Sequence, residues 1–230
     1  MKITVIGCGY VGLVTGLCLS EKGHSVICVD KDKDKIKKIN SKISPIYEKG
    51  LKKILLKNIN VNFFANTDLK AAIMMSDFTF ICVGTPFNGS MINLDYVKEA
   101  AKEIGKILKN KKKYHTILVK STVVPGTTDD VILPILEKYS NKVCGKEFGL
   151  GVNPEFLREG SAILDFMNPD RIVIGSNNKK THENTSKIYR SFKKIDFLKT
   201  NNKTAEMIKY TSNSFLATLI SFSNEIANFC

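Results

Sequence analysis

A glycine-rich turn near the N-terminus constrains the fold of this chain more than any other feature. Residues 7–12 read GCGYVG and lie between an apolar run and a helical pattern. At such a turn Gly7 permits the tight bend, Gly9 lets backbone amides approach a pyrophosphate, and Gly12 lets helix and strand pack closely. The turn in this context predicts a βαβ unit that binds a dinucleotide.

An acidic residue completes the pattern. Asp30 ends the next predicted strand, at 25–30. A carboxylate at this place accepts hydrogen bonds from the adenosine ribose and repels a 2′-phosphate, so the sequence predicts NAD in preference to NADP. The neighbouring Lys31, Lys33 and Lys35 weaken this preference a little. The alternative is the glycine turn of an α/β protein that binds no ligand.

Short apolar runs alternate with amphipathic stretches along the whole chain. The predicted strands lie at 2–7, 25–30, 61–65, 77–83, 115–120, 147–152 and 171–175. The predicted helices lie at 10–22, 32–40, 48–57, 67–74, 94–109, 127–139, 180–191 and 203–228. Repeated strand–helix–strand units predict an α/β fold: a Rossmann-type doubly wound parallel sheet, followed by the start of a long central helix.

The last predicted helix differs from the others. Residues 203–228 contain no Gly or Pro, and apolar residues cover much of the helix surface. This pattern is typical of a helix that packs on something the chain does not include. We therefore predict one domain at 1–200 that binds NAD, and the start of a helical dimerisation domain at 201–230.

Composition narrows the classes of partner. The 230 residues carry a formal net charge of +13, but almost all of the cations are Lys, spread over the chain. Nucleic-acid modules cluster Arg for bidentate contacts, so we expect no nucleic-acid partner and at most a field that attracts anionic ligands. The apolar residues 3–19 are interrupted by glycines and are interpreted as a strand entering a helix. No membrane span is expected.

The cysteine pattern indicates the compartment. Six cysteines occur, at positions 8, 18, 28, 82, 144 and 230. They form no CxxC pair and have no His at metal spacing, which predicts free thiols in a reducing compartment, the cytoplasm, and no metal site.

Two further turns follow predicted strands. Thr85 lies in the turn VGTP at 83–86, and Thr122 lies in the turn KSTVVPG at 120–126. Carboxyl ends of parallel strands are where open sheets bind ligands, so both hydroxyls are candidates to face the cofactor. The alternative is plain helix capping and turn formation.

Acidic and basic residues form two more candidate groups. The segment 153–160, NPEFLREG, places two carboxylates and an Arg after the sixth predicted strand; the alternative is a solvated ion-pair loop. In the last helix Lys209 and Asn213 are four residues apart and share a face. The alternative for these two side chains is simple exposure to solvent.

Taken in order, these motifs resemble the UDP-glucose/GDP-mannose dehydrogenase family over essentially all 230 residues. The motifs are the turn at 7–12, Asp30 with Lys35, PIYEKGL at 45–51, VGTP at 83–86, KST at 120–122, NPEFLREG at 153–160, the stretch 165–175, and Glu206 with Lys209, Tyr210 and Asn213. The stretches 153–160 and 165–175 are most similar to the N-terminal portion of UDP-glucose 6-dehydrogenases.

The resemblance implies a function. The family oxidises a sugar C6 alcohol to a carboxylate with two hydride transfers to NAD. The implied activity is oxidation of UDP-glucose to UDP-glucuronate by a full-length enzyme, with this chain supplying the part that binds NAD. The alternatives are a related nucleotide-sugar dehydrogenase, acting on a UDP-N-acetyl-hexosamine or on GDP-mannose, and a non-catalytic module that binds NAD or a nucleotide.

The resemblance also implies residue roles. The implied cofactor contacts are Gly7, Gly9, Tyr10, Val11, Gly12, Asp30, Lys35, Thr85, Thr122 and Glu159. The implied substrate contacts are Glu155, Phe156, Leu157, Arg158, Glu159, Lys209 and Asn213. The implied catalytic residues are Thr122, Glu155, Lys209 and Asn213. Lys209 and Asn213 would stabilise oxyanion charge, and Glu155 would assist proton transfer or position a water.

One departure from the family concerns the nucleophile. The family's nucleophilic Cys and its second nucleotide domain lie beyond the long helix, and Cys230 lacks the surroundings of that nucleophile. We expect either a fragment of a longer enzyme, which would form a homodimer through the long helix, or a short non-catalytic descendant.

Overall fold

One eight-stranded sheet organises residues 1–192 and 195–230, the part of the chain that this computed structural model describes. Its strands are β1 (Lys2–Ile6), β2 (Ser25–Val29), β3 (Phe63–Asn66), β4 (Phe78–Ile81), β5 (His115–Val119), β6 (Phe148–Val152), β7 (Arg171–Gly175) and β8 (Asp196–Thr200). They lie side by side in the order β3-β2-β1-β4-β5-β6-β7-β8. The predicted α/β class and Rossmann-type sheet are confirmed.

Helices connect the strands. They are α1 (Tyr10–Glu21), α2 (Lys33–Asn40), α3 (Leu51–Asn58), α4 (Leu69–Met75), α5 (Asp95–Leu108), α6 (Leu133–Ser140), α7 (Ala162–Met167), α8 (Lys179–Ile188) and α9 (Asn202–Ala227). A π-helical turn at Thr128–Ile132 leads directly into α6. Two separate clusters of buried apolar side chains, one built around α1 and the other around α5 and α6, indicate that helices cover both faces of the sheet.

One strand pair departs from the predicted parallel sheet. All neighbouring strands are parallel except β6 and β7, which meet in an antiparallel pairing of Val152 with Gly175. The connection between them contains only the six-residue helix α7 and does not cross the sheet. Because the chain stays at the carboxyl end of β6, it must enter β7 from that same edge.

Some elements begin or end at residues other than those predicted, and two elements, α7 and β8, were not predicted. The helix predicted at 48–57 begins at Leu51, after Gly50 in a left-handed conformation with φ of 85°, so Glu48 lies in the preceding turn. Helix α7 has six residues, too few to show a helical period. Strand β8 has mostly exposed side chains, so it lacks the buried pattern that marked the other strands.

The long helix α9 starts against the sheet and then leaves it. Near its start, Glu206 accepts hydrogen bonds from the amides of Gly126 (2.6 Å) and Thr128 (2.8 Å) and from the Thr128 hydroxyl (2.6 Å). Burial raises the pKa of the Glu206 carboxyl, although these hydrogen bonds act in the opposite direction. After Tyr210 nearly every residue of the helix is exposed. Among the helices in the described ranges, none has the length and hydropathy of a membrane-crossing segment.

The buried carboxylate of Glu206 predicts a stability effect. Replacing Glu206 by Ala leaves two buried amides without an acceptor, so we expect the free energy of unfolding to fall by about 2–4 kcal/mol. Urea unfolding followed by circular dichroism measures this change. The control is Met207→Ala, an exposed neighbour on the same helix, for which we expect a change below about 0.5 kcal/mol. Equal losses in the two variants would contradict the anchoring role.

Candidate functional site

The glycine turn between β1 and α1 has no room for side chains at two of its positions. Gly7 has a φ of 97°, and a Cβ on it would lie 2.7 Å from the carbonyl oxygen of Cys82. A Cβ on Gly12 would lie 1.8 Å from the carbonyl oxygen of Gly7. Helix α1 and strand β1 therefore approach each other as closely as the sequence pattern predicts.

The remaining glycine of the turn, Gly9, faces open space. A Cβ on Gly9 would meet no described atom within 4 Å, and Gly9 is the N-cap of α1 without a side-chain cap from the described residues. The half-buried Tyr10 and Val11 form the first turn of the helix. Amides at a helix N-terminus that no side chain caps are suited to bind a pyrophosphate.

Asp30 is held beside this turn in its charged form. Its carboxylate accepts hydrogen bonds from the amides of Cys8 (2.7 Å) and Asp32 (3.0 Å) and from the Lys35 ammonium (3.0 Å). Partial burial acts to raise the pKa of Asp30, but these three donors outweigh it, and the pKa lies below its usual range. Of the predicted cofactor contacts, Asp30 and Lys35 therefore lie together next to the glycine turn.

The second and third turns contact each other. The Thr85 hydroxyl donates to the Thr122 carbonyl (2.8 Å), and the Ser121 hydroxyl donates to the Val83 carbonyl (2.6 Å). The two turns follow the carboxyl ends of β4, which pairs with β1, and of β5, which pairs with β4. Thr85 and Thr122 thus share the edge of the glycine turn, and the Thr85 hydroxyl stabilises the neighbouring turn.

A cleft of about 630 Å³ opens between the loop after β6 and helix α9. Most of the predicted substrate contacts line it, namely Glu155, Phe156, Leu157, Arg158, Lys209 and Asn213. Within the described residues, Thr122 and Glu159 do not belong to this lining. Glu159 instead lies close enough to Tyr10 for its charge to act on the phenol, on the side of the glycine turn.

An ion pair crosses the cleft. The Lys209 ammonium lies 2.8 Å from a carboxylate oxygen of Glu155, and both side chains are about nine-tenths buried. The Leu157 amide donates to the other oxygen of Glu155 (2.6 Å), which fixes its direction. Lys209 also lies 5.5 Å from the centre of the Phe156 ring. Lys209 is therefore not the solvent-facing side chain of the alternative interpretation, whereas Asn213, one turn later, is exposed at the cleft wall.

Arg158 forms a different pair at the rim. Its guanidinium donates to both oxygens of Asp165, at 2.7 Å and 3.2 Å, and its amide donates to Asp165 as well (2.9 Å). The Arg158 guanidinium holds the pKa of the Asp165 carboxyl below its usual range. The ion-pair-loop interpretation is thus correct for Arg158, although that residue also lines the cleft.

Two cleft residues had not been assigned a role from the sequence. The buried Lys120 ammonium donates to Asn153, at 3.1 Å to the side-chain oxygen and 3.3 Å to the backbone carbonyl. The Tyr189 hydroxyl donates to the same side-chain oxygen (2.5 Å). Burial lowers the pKa of Lys120 to about 8. A lysine at the end of a buried strand was the available signal for Lys120; no local pattern marks Tyr189.

Among the described residues, neither a cysteine nor a cluster of metal-binding side chains lines the cleft. All six cysteines are free, and none of them lines the cleft among the described residues. Within residues 1–192 and 195–230, no group of three or more His, Cys, Asp or Glu is arranged to hold a metal ion.

Comparison with known proteins decides the family. Residues 1–193 match the model of the UDP-glucose/GDP-mannose dehydrogenase family, NAD binding domain, and residues 203–230 match the model of its central domain. The chain belongs to this family. The family assignment and NAD as the cofactor, both predicted from the sequence, are confirmed.

Two relatives with different names are similarly close in sequence. The chain is 44% identical to GDP-mannose 6-dehydrogenase of Pseudomonas aeruginosa over 99% of its own length and 52% of that protein. It is 45% identical to UDP-glucose 6-dehydrogenase YwqF of Bacillus subtilis over 100% of its own length and 51% of that protein. The chain therefore spans about half the length of these relatives.

Solved structures of the family share the fold. A ternary complex of GDP-mannose dehydrogenase from Pseudomonas aeruginosa superposes with a TM-score of 0.95 at 42% identity, covering 98% of this chain and 52% of that one. A UDP-glucose dehydrogenase from Pyrobaculum islandicum gives a TM-score of 0.90 at 36% identity, covering 97% of this chain and 51% of that one.

The charge of Asp30 predicts cofactor preference. We expect NADH to bind at least about tenfold more tightly than NADPH, and Asp30→Asn to narrow this gap because it removes the charge that repels a 2′-phosphate. Fluorescence titration with both cofactors measures the two dissociation constants. Asp34→Asn, an exposed acid in the first turn of α2, is the control that should leave the ratio unchanged. Equal or tighter binding of NADPH to the unsubstituted chain would refute the assignment.

Proposed function

We propose that this chain is the NAD- and sugar-binding part of a nucleotide-sugar 6-dehydrogenase whose substrate is UDP-glucose. Residues 1–200 form the NAD-binding domain of the proposal, and residues 201–230 form the start of the central helical domain. The observation that carries it is the buried pair of Lys209 and Glu155 in a cleft beside the carboxyl edge of the sheet.

Support for UDP-glucose comes from the loop after β6. The stretches 153–160 and 165–175 resemble those of UDP-glucose 6-dehydrogenases, and a relative of that name is 45% identical over the whole chain. GDP-mannose is the second candidate because a GDP-mannose 6-dehydrogenase is 44% identical.

The cleft residues have complementary tasks in the proposed oxidation. NAD, when bound, accepts the hydride from the sugar C6. The Lys209 ammonium, held by Glu155 at 2.8 Å, donates a hydrogen bond to the C6 oxygen and stabilises its negative charge, together with the Asn213 amide. Glu155 accepts the hydroxyl proton, or positions the water that accepts it. Thr122, which lies on the cofactor side of the sheet edge, is the fourth proposed catalytic residue. It helps to orient the sugar alcohol towards the cofactor.

The second oxidation requires the aldehyde to be held covalently or as a hydrate. In the family a thiol provides this hold, and none of the described cysteines lines the cleft. We propose that the residues of this chain bind and orient both substrates but contribute no nucleophile. The six free thiols support the cytoplasm as the compartment.

Binding of the nucleotide sugar tests the proposal. With NADH present, we expect UDP-glucose to bind the chain and Lys209→Met to weaken that binding by about tenfold or more, because the substrate loses a charged hydrogen-bond donor. Isothermal titration calorimetry with UDP-glucose and GDP-mannose measures the affinities. Lys203→Met, an exposed lysine on the same helix, is the matched control.

Three outcomes separate the candidates. Tighter binding of GDP-mannose than of UDP-glucose would favour the second candidate. Binding of NADH without binding of either sugar nucleotide would contradict the substrate-binding role proposed for the cleft of this chain. Equal weakening by Lys203→Met and Lys209→Met would show that the pair with Glu155 has no special part in binding.

The exposed half of α9 supports a proposed homodimer. Phe215, Leu219, Phe222 and Ile226 follow helical spacing along one face and are between 45% and 63% exposed. An apolar stripe of this length favours association with a second copy.

A charge on this stripe should therefore dissociate the dimer. We expect Leu219→Asp to raise the dissociation constant of the dimer by about tenfold or more, because association would bury an unpaired carboxylate. Sedimentation equilibrium measures this constant. Ala217→Asp, on the opposite face of the helix, is the control. A monomer mass for the unsubstituted chain at all concentrations would contradict the proposal.

A further inference from the structure

The motif PIYEKGL at 45–51 has no role in the function proposed above, yet it forms an unusual turn. Tyr47 is 90% exposed, whereas the neighbouring Glu48 is only 5% exposed. The turn ends at Gly50, and the Leu51 amide at the start of α3 donates to the Glu48 carbonyl (3.1 Å). The chain thus turns an aromatic ring outward and a carboxylate inward, the reverse of the usual distribution of these residue types.

The carboxylate of Glu48 joins the two halves of the site. One of its oxygens accepts a hydrogen bond from the Tyr10 hydroxyl. The same oxygen accepts a hydrogen bond from the Gly160 amide (2.9 Å). Tyr10 is the first residue of α1 in the glycine turn, and Gly160 ends the loop 153–160 that lines the cleft. A single oxygen atom therefore connects the NAD turn to the sugar-binding loop.

The other oxygen of Glu48 is buried and accepts no hydrogen bond from the described residues. Placing a carboxylate in the interior is costly, and a bridge between a hydroxyl and an amide needs only a neutral acceptor. Burial, and then the hydrogen bond to Glu48, raises the pKa of the Tyr10 phenol. Tyr10 therefore remains protonated and keeps donating to Glu48 throughout the neutral pH range.

The loop 153–160 is held at both ends. Near its start Glu155 pairs with Lys209 of α9 (2.8 Å), and at its end Gly160, with a φ of 89°, is bound to Glu48. Whatever fixes Glu48 therefore also fixes the second end of the loop, including the adjacent Glu159.

We infer that Glu48 is a positioning residue that couples NAD binding at the glycine turn to the ordering of the loop that binds the sugar nucleotide. The inference rests on the proposed function. A pyrophosphate bound at the N-terminus of α1 restrains Tyr10, Tyr10 restrains Glu48 through its hydroxyl, and Glu48 restrains the Gly160 amide. Glu48 itself acts through these neighbours and not on the reacting atoms.

Hydrogen–deuterium exchange of the chain, with and without saturating NADH, tests the coupling. In the unsubstituted chain we expect NADH to slow exchange in the turn 7–12 and to slow exchange of the Gly160 amide about tenfold. In Glu48→Ala we expect the turn to keep its protection, while the effect of NADH on the Gly160 amide falls below about twofold. A purely structural role of Glu48 would change exchange equally with and without NADH.

A matched control lies at the contact between α1 and α3, away from the Glu48 turn. Glu21, at the end of α1, accepts hydrogen bonds from Lys57 (2.5 Å) and Asn58 (2.7 Å) of α3. Glu21→Ala loosens the packing of α1 on α3 without touching the loop, so it should preserve the NADH effect at Gly160. Full protection of Gly160 by NADH in Glu48→Ala, or loss of this protection in Glu21→Ala, would overturn the inference.

The experiment also separates this inference from the proposed function. If NADH protects the turn of the unsubstituted chain but not the loop, the coupling is wrong and the NAD site remains. If NADH does not protect the turn 7–12, the NAD site fails, and with it the function proposed for the chain.

Discussion

The contact between Gly12 and the Gly7 carbonyl determines where the rest of the site lies. With only 1.8 Å between that oxygen and the place of a Cβ, no other residue lets α1 approach β1 so closely. The next turn of the helix repeats the constraint, because a Cβ on Gly16 would lie 2.6 Å from the Cys28 sulfur. Gly12 and Gly16, on successive turns of the helix, thus let α1 pack closely against β1 and β2.

This close packing places the first turn of α1 at the carboxyl edge of the sheet. The uncapped amides around Gly9 then point towards the edge where a ligand enters, and the Tyr10 hydroxyl reaches Glu48 in the turn before α3. A helix held farther from the sheet would lose both properties. The close packing of the glycines is therefore a condition for the anion site and also for its link to the loop after β6.

The parts of the fold that sequence reasoning predicted well are those that local sequence determines. The glycine turn is one example, because its conformation depends on residues that are neighbours in the chain. The i,i+4 spacing likewise placed Lys209 and Asn213 on one face of a helix. That spacing did not say what the face contacts, and the partner of Lys209 proved to be Glu155, from a distant loop.

The same limit explains the incorrect or missing assignments. Arg158 and Glu155 belong to one segment, and only the folded loop shows that Arg158 pairs with Asp165 while Glu155 points to α9. Strand β8 pairs with β7 at the edge of the sheet, where exposed residues leave no buried pattern in the sequence. The antiparallel entry of β7 depends on the path of the connecting loop, which no strand pattern encodes.

The charged side chains of the cleft determine which charge is favoured on a bound ligand. The pairs Lys209–Glu155 and Arg158–Asp165 each neutralise themselves, but the only hydrogen bonds that the described structure gives the Lys120 ammonium are to neutral oxygens of Asn153. Burial lowers the pKa of Lys120 to about 8. The charged ammonium therefore destabilises the folded state by an amount that grows as the pH falls from the pKa of a free lysine to about 8, and that is constant at lower pH. A fold that needed only packing at the end of β5 would be more stable with an apolar side chain there. A buried positive charge without a carboxylate in contact favours negative charge in the cleft, and oxidation of an alcohol develops that charge on the reacting oxygen.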